Sequence, residues 1–219
     1  ILDLWFKKRV EYKDEMVKYG KAGDNDKYAF YHKRQLVQKI LLNSLYGVLG
    51  LPAFRFYDVD NATAVTTTGQ TVIKSTADMA NIKYNKELGT PDLDSNIYID
   101  TDSVFFSAVP LMDKRFPNWK DEEQNTIAGY VNDIASEMQD YLNDFYDIMS
   151  KKIFNVDVDK HRLEIKMENV AKAGLWIAKK RYAQWIISDN GVPCDKLDVK
   201  GLDVKRSSFP KAFQECMGK

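Results

Sequence analysis

The chain has 219 residues, of which 44% are hydrophobic, so it is long enough to bury the core of one or two domains. Its two cysteines, Cys194 and Cys216, are too few for a disulfide framework or for a zinc site built from cysteine pairs, which predicts reduced thiols in the cytoplasm. No apolar run is long enough to cross a bilayer and no leader pattern is found, so we expect no membrane partner.

The formal net charge is zero, but the charges are segregated along the chain. Lys and Arg outnumber Asp and Glu by 11 to 6 over residues 1–57 and by 13 to 7 over residues 160–219, whereas residues 58–159 carry 8 basic and 19 acidic residues. Two basic flanks around an acidic centre are typical of a phosphate-binding surface beside a cation site. Solvated surface faces give the same pattern, so charge alone does not decide the function.

Four helices are predicted from the spacing of apolar residues. The first covers residues 2–19 and the second 28–49, and the short polar segment between them predicts an antiparallel helical hairpin. A third helix is predicted over 62–86, and a fourth, clearly amphipathic, over 127–149.

The strands are predicted between and after these helices. Two β-type segments, 97–99 and 104–106, flank Asp100-Thr-Asp-Ser103 and predict a tight β-hairpin. Further strands are expected over residues 163–188, with turn signals at Gly174 and at Asp189-Asn-Gly191. The predicted fold class is therefore α/β of the α+β type, with an antiparallel sheet, packed helices and a helical hairpin.

The predicted β-hairpin presents two carboxylates, Asp100 and Asp102, at its turn. Mg²⁺ is commonly held by one or two carboxylates together with substrate phosphates, so the turn is a candidate metal site. At a turn the two side chains need not share a face, and one aspartate can bind a metal while the other points elsewhere. An ordinary acidic turn and the Asp-x-Asp of sugar-nucleotide enzymes remain open.

The second predicted helix carries a polar stripe formed by Lys39, Asn43 and Tyr46. A cation, an amide and an aromatic ring on one helix face suit a triphosphate and a nucleobase. A second stripe, apolar or small, runs through Leu36, Ile40, Ser44 and Gly47. The alternative is an amphipathic helix whose polar side faces water, although a glycine inside a helix usually has a packing reason.

A basic segment, Lys179-Lys-Arg-Tyr182, lies within an apolar, strand-like context. Three consecutive cations on a strand would point to both of its faces, and a backbone of phosphates is their natural partner. A solvated basic strand edge that prevents aggregation is the alternative.

Three ordered motifs then identify a family: Lys39-x-x-x-Asn43-Ser-x-Tyr-Gly47, Tyr98-x-Asp-Thr-Asp-Ser103 and Lys179-Lys-Arg-Tyr182. They resemble the fingers motif, the catalytic palm motif and the primer-side motif of family B DNA polymerases. The segments Tyr57-Asp58-x-x-Asn61-Ala62 and Gly201-Leu-x-x-Lys-Arg-Ser-Ser208 are similar to connecting segments of this family, most closely to those of large tailed phages. The resemblance implies fingers at 1–57, the later part of the palm at 58–199 and the start of the thumb at 200–219.

The resemblance also implies roles for individual residues in adding deoxynucleoside triphosphates to a primer. Asp102 and Asp100 would be the catalytic, Mg²⁺-binding carboxylates of a two-metal site, with Glu168 a further carboxylate near the metals. The incoming nucleotide would be bound by Arg9, Lys13, Lys39, Asn43 and Tyr46. Primer-template DNA would be bound by Lys179, Lys180, Arg181 and Tyr182.

The family pattern is incomplete in this sequence. No Asp followed by a Ser-Leu-Tyr-Pro-like run precedes the fingers, and Ile99 stands where the family commonly has glycine. The chain begins at Ile1, which we expect of a processed, split or truncated product. Partners implied by the resemblance are an N-terminal polymerase portion with the exonuclease and the first palm motif, and a sliding clamp that binds through a further C-terminal region. If the chain is phage-encoded, its place is the host cytoplasm.

We therefore expect the isolated chain to bind DNA weakly and to polymerise nothing. Two other classes stay open. One is a non-catalytic DNA-binding or assembly subunit derived from a polymerase. The other is a different palm enzyme, such as a reverse transcriptase or RNA polymerase, although those carry adjacent aspartates and Asp100 and Asp102 are separated by Thr101.

Overall fold

The computed structural model describes residues 1–202, and the chain divides into two compact units, residues 1–71 and a second unit that begins at Val72. The predicted α+β class is confirmed. In chain order the elements are α1 (Leu2–Lys21), α2 (Asn25–Leu49), α3 (Val59–Leu88), β1 (Asn96–Asp100), β2 (Ser103–Phe106), α4 (Val109–Arg115), a 3₁₀ turn (Trp119–Asp121), α5 (Gln124–Lys152), β3 (Asn169–Ala178), β4 (Arg181–Asp189) and β5 (Val192–Lys200).

Two sequence-based statements concern residues beyond this range. Most of the predicted thumb segment, and Cys216 with it, lie outside the described residues.

Among the helices of residues 1–202, none combines the length and the apolar character that a membrane crossing needs.

The first unit contains the predicted hairpin of two helices, α1 and α2. The Asp24 carboxylate caps α2 by accepting a hydrogen bond from the Lys27 amide at 3.0 Å, which satisfies one of the free donors at the helix start. Across the hairpin, the rings of Tyr19 and Tyr31 stack with centroids 5.5 Å apart. Met16 is the buried residue of α1, whereas no residue of α2 is buried. Aromatic contacts therefore hold these helices together more than a closed core does.

The second unit has a hydrophobic core between helices. The C-terminal part of α3 packs with α4 and α5 around Ala80, Tyr84, Leu111, Met112, Ile134, Met138 and Leu142. Each large apolar side chain buried in this way contributes about 1.5–3 kcal/mol. Within the same helical layer the hydroxyls of Thr76 and Tyr146 share a buried hydrogen bond of 2.8 Å, so neither polar group is left unsatisfied.

Side chains of α5 hold the segment that precedes β3. Asn143 accepts a hydrogen bond from the Ile165 amide at 2.9 Å and donates one to the Ile165 carbonyl at 3.1 Å. Gln139 accepts from the Met167 amide at 2.9 Å. Because these backbone groups pair with helix side chains, the predicted strand region does not begin at residue 163, and β3 starts only at Asn169.

The strands form two antiparallel sheets, β1-β2 and β3-β4-β5. The predicted turn at Asp189-Asn-Gly191 is confirmed, and the strand that follows it, β5, extends beyond the predicted range. The turn signal at Gly174 is wrong, because Gly174 lies inside β3 opposite Gln184. Its missing side chain makes room for the Trp176 indole, which a methyl group would overlap.

Arg115, at the end of α4, ties three helices together. Its guanidinium contacts the carboxylate of Glu87 on α3 at 2.6 Å and that of Glu137 on α5 at 2.7 Å. Hydrogen bonds from Arg115 lower the pKa of both carboxyl groups. The side chains of Arg115 and Glu87 are 24% and 27% exposed, so water screens this pair less than a pair at an open surface.

We predict that Arg115→Met lowers the free energy of unfolding by about 1–2 kcal/mol, mainly because Glu87 loses its partner in a partly buried place; the half-exposed Glu137 contributes less, since water screens it. Both carboxyl groups have a folded pKa below the ordinary value of 4.5, so their contribution is present above that pH and is lost as the pH falls through the lowered values. Urea unfolding of both proteins should therefore differ at pH 7 and converge in acid. Lys120→Ala, which removes the exposed pair with Asp113, is the control and should change little. Equal losses at pH 7 and pH 3 would contradict this account.

Candidate active site

The β1-β2 hairpin displays its two aspartates differently. Asp100 ends β1 opposite Ser103, so Thr101 and Asp102 form a two-residue turn. Thr101 has a φ of 54°, a left-handed conformation that is uncommon for a β-branched residue. Strained backbone of this kind is concentrated at functional sites. The Asp102 amide donates to the Asp100 carbonyl at 2.6 Å, which closes the turn.

Both ends of this hairpin are fastened to α3. Before β1, the Asn81 carboxamide oxygen accepts hydrogen bonds from the amide and the hydroxyl of Ser95 at 3.0 and 2.8 Å. At the start of β1, Asn96 donates to the Ala77 carbonyl at 3.1 Å, and after β2 the Tyr84 hydroxyl donates to the carbonyl of Ser107. The base of the hairpin is therefore fixed to the helical core, and this determines where its turn lies.

Asp100 is engaged by the basic segment. Its carboxylate contacts the Lys180 ammonium at 2.9 Å and accepts a hydrogen bond from the Thr101 hydroxyl at 3.0 Å, and only 19% of its side chain is exposed. The hydrogen bond from Lys180 lowers the pKa of Asp100, and the same pair raises the pKa of Lys180. Asp102, in contrast, is exposed, and its carboxylate has no side-chain partner within residues 1–202.

The basic segment, Lys179 to Tyr182, was predicted to lie on one strand, but in the structure it forms a turn and the start of the next strand. Lys179 and Lys180 form the turn between β3 and β4, Lys180 with a φ of 61°, and Arg181 and Tyr182 begin β4. The Lys180 amide donates to the Tyr98 hydroxyl at 2.7 Å. Behind this contact four aromatic rings pack with centroids 5.5 to 6.1 Å apart: Tyr98, Phe105, Trp176 and Tyr182.

The structure thus brings two of the three motifs together. Tyr98 and Asp100 lie on one face of β1, because alternate residues of a strand point the same way, and both contact Lys180. Sequence reasoning missed Tyr98 as a partner of the basic turn. Its spacing of two residues from Asp100 is the signal that could have found it.

The carboxylates suit a hard cation only in part. Asp102 offers exposed oxygen ligands of the kind that Mg²⁺ prefers, with Asp100 beside it in the turn. Glu168 precedes β3, at the end opposite the Lys179-Lys180 turn, and the ten residues of β3 span about 30 Å. The structure does not bring Glu168 to this turn, and no three His, Cys, Asp or Glu side chains within residues 1–202 converge as a metal site.

The predicted nucleotide-binding residues lie on the helical hairpin of the first unit. Lys39, Asn43 and Tyr46 are all exposed on α2, Tyr46 to 40%. Arg9 and Lys13 are half-buried on α1. The Arg9 Nε is buried without a hydrogen-bond partner in the described part of the chain.

The second stripe of α2 is not packed within the described residues. Leu36 and Ile40 are 42% and 55% exposed, and a methyl group at Gly47 would meet no atom within 4 Å. The expected packing reason for Gly47 is therefore not found there. Exposed apolar side chains in such number are typical of an interaction surface.

Comparison with known proteins agrees with these motifs. The family model for DNA polymerase family B matches residues 1–119. The chain is 34% identical to a DNA-directed DNA polymerase of Enterobacteria phage T4 and 32% identical to that of Escherichia phage RB69, in each case over 84% of this chain and 21% of the relative. It is 28% identical to the mouse DNA polymerase alpha catalytic subunit over 95% of this chain and 12% of that protein. The chain spans about a fifth of the length of its phage relatives. With its motifs and more than half of its length matching the family model, the chain belongs to DNA polymerase family B.

Proposed function

We propose that this chain forms the fingers and the later palm of a DNA-directed DNA polymerase, and that it transfers nucleotides only together with the remaining polymerase segments. In this proposal residues 1–57 are fingers, 58–199 are palm and 200–219 begin the thumb. The observation that carries it is the contact between the aspartate turn and the basic turn, through the 2.9 Å pair of Asp100 with Lys180.

The reaction is the in-line attack of the primer 3′-hydroxyl on the α-phosphate of a deoxynucleoside triphosphate, with pyrophosphate as the leaving group. Arg9 and Lys39 bind the triphosphate, and their positive charge stabilises the charge that grows on the pyrophosphate. Asn43 and Lys13 assist at the phosphates. Tyr46 packs against the new base pair, a role that its exposed ring supports.

The primer end is held by the turn between β3 and β4 and by the start of β4. Lys179, Lys180 and Arg181 supply cations to the DNA, and Tyr182 packs beside them. Asp100 acts here as the counter-ion that orients the Lys180 ammonium, which its position at 2.9 Å supports. The order of the turn favours DNA binding, because a held side chain loses less conformational freedom when it binds.

Asp102 is the residue that would hold Mg²⁺, with Asp100 nearby in the same turn. When bound, paired Mg²⁺ ions stabilise the attacking and leaving oxygens of such a displacement. Glu168 is not included in this ligand set, because β3 separates it from the turn. Further ligands come from the substrate phosphates and from the earlier palm motif, an aspartate motif that residues 1–219 do not contain.

The partners follow from this incompleteness. They are primer-template DNA, a deoxynucleoside triphosphate and a polymerase portion that carries the first palm motif and the exonuclease. A sliding clamp would bind through a further C-terminal region. The place of action is the cytoplasm, and the host cytoplasm if the chain is phage-encoded.

We predict that Lys180→Ala weakens binding of the full chain to primer-template duplex by about 5–10-fold, because one well-placed cationic contact to DNA is lost. Fluorescence anisotropy with a labelled duplex at fixed salt measures this. Lys152→Ala removes the same charge from the exposed last turn of α5 and serves as the matched control. Equal effects of the two variants would show that only net charge matters and would count against a primer site at this turn.

We predict that the purified chain alone incorporates no labelled nucleotide into a primer in the presence of Mg²⁺. Addition of a polypeptide with the preceding polymerase segments should restore incorporation, and Asp102→Ala should abolish it again. Incorporation by the chain alone, sensitive to Asp102→Ala, would contradict the proposed incompleteness. DNA binding without activity in any combination would favour a non-catalytic DNA-binding subunit.

A further inference from the structure

Gly201 lies directly against the basic turn. It follows β5, whose last pair joins Lys200 to Tyr182 at the start of β4. A methyl group built on Gly201 would overlap the carbonyl oxygen of Lys180 and would come within 3.5 Å of the Arg181 Cγ. The backbone of Lys180 therefore occupies the space that any side chain at position 201 would need.

The Lys180 backbone is restrained from two sides. On one side its amide donates to the Tyr98 hydroxyl at 2.7 Å. On the other side its carbonyl lies against Gly201. Lys180 itself has a φ of 61°, a conformation that needs support from its surroundings in a residue other than glycine. By fixing the Lys180 backbone, these contacts determine where its side chain begins, and the ammonium of that side chain is paired with Asp100.

We propose that Gly201 is a positioning residue for Lys180. Its missing side chain lets the chain after β5 close on the Lys179-Lys180 turn, which keeps the Lys180 ammonium beside Asp100 and in place for the primer end. This inference rests on the proposed function. It adds that the segment after β5 determines the geometry of the primer-side turn.

A second glycine, Gly89, separates the effect of the left-handed backbone from the effect of the close contact with Lys180. Gly89 has a φ of 76°, close to the 61° of Gly201, but a methyl group there would meet no atom within 4 Å. Substitution of either glycine imposes backbone strain, whereas only substitution of Gly201 forces the basic turn to move. Gly89 is therefore a matched control for the strain alone.

The test compares Gly201→Asn with Gly89→Asn in the full chain. Asparagine tolerates a positive φ better than other side chains, so the overlap of its Cβ with Lys180 becomes the main difference between the sites. We expect Gly201→Asn to lower affinity for labelled primer-template duplex about 5–10-fold, as Lys180→Ala does, and Gly89→Asn to leave affinity unchanged. Circular dichroism and thermal melting confirm that both variants are folded. If Gly201→Asn does not fold, Gly201→Ala is compared with Gly89→Ala instead, since alanine adds at each site only the Cβ, which at position 201 meets Lys180.

A double variant separates positioning from a general structural effect. If Gly201 acts mainly through Lys180, Gly201→Asn should cause a clearly smaller loss of affinity in the Lys180→Ala background than in the unsubstituted chain. Independent, multiplying losses would overturn the inference, as would unchanged affinity of a folded Gly201→Asn protein. If Lys180→Ala itself does not alter DNA binding, the proposed primer site fails, and that result is distinguishable from failure of the Gly201 inference.

Discussion

The contact between Lys180 and the β1 strand is the interaction on which the candidate site depends. Residues 80 or more positions apart in sequence meet here, Lys180 with Asp100 through an ion pair and with Tyr98 through its backbone amide. Each bond alone is modest, because the ammonium is largely exposed and water screens it. The aromatic rings behind the contact supply the apolar packing that keeps the two turns together, so the polar bonds select a geometry that the rings stabilise.

The two aspartates of the β1-β2 turn, Asp100 and Asp102, have different surroundings. Asp100 has a cation and a hydroxyl as partners and is mostly buried, whereas Asp102 lies two residues further along the turn and is open to solvent. The ammonium beside Asp100 repels a second cation, whereas Asp102 has no ion pair within residues 1–202 and offers oxygen ligands of the kind that Mg²⁺ prefers. The proposed division of labour, with Asp100 orienting Lys180 and Asp102 holding the metal, follows from that difference.

The proposed roles of Asp100 and Asp102 require that the hairpin below the turn be held rigidly. The hairpin is tied to α3 through Asn81, Asn96 and Tyr84, and α3 is tied to α4 and α5 through Arg115 and the apolar core. Catalytic carboxylates must keep their place to within a fraction of an ångström, and strands anchored to a packed helix achieve this better than a loop. The helical hairpin of the first unit is built differently, with exposed apolar and polar stripes on α2, as expected for a surface that binds other molecules.

The sequence by itself determined the family, the α+β class and the existence of the helical hairpin and the aspartate hairpin, because periodicity and short ordered motifs are local properties. It did not determine that Lys179-Lys180 is a turn, nor that Gly174 lies inside a strand, where the Trp176 indole covers it. Nor did it reveal that Ile165 pairs with Asn143 and Met167 with Gln139, or that Lys180 meets Tyr98 and Gly201. Only the tertiary structure decided these points, because they join side chains and backbone groups far apart in the chain, and no local pattern encodes which distant partner satisfies a given hydrogen bond.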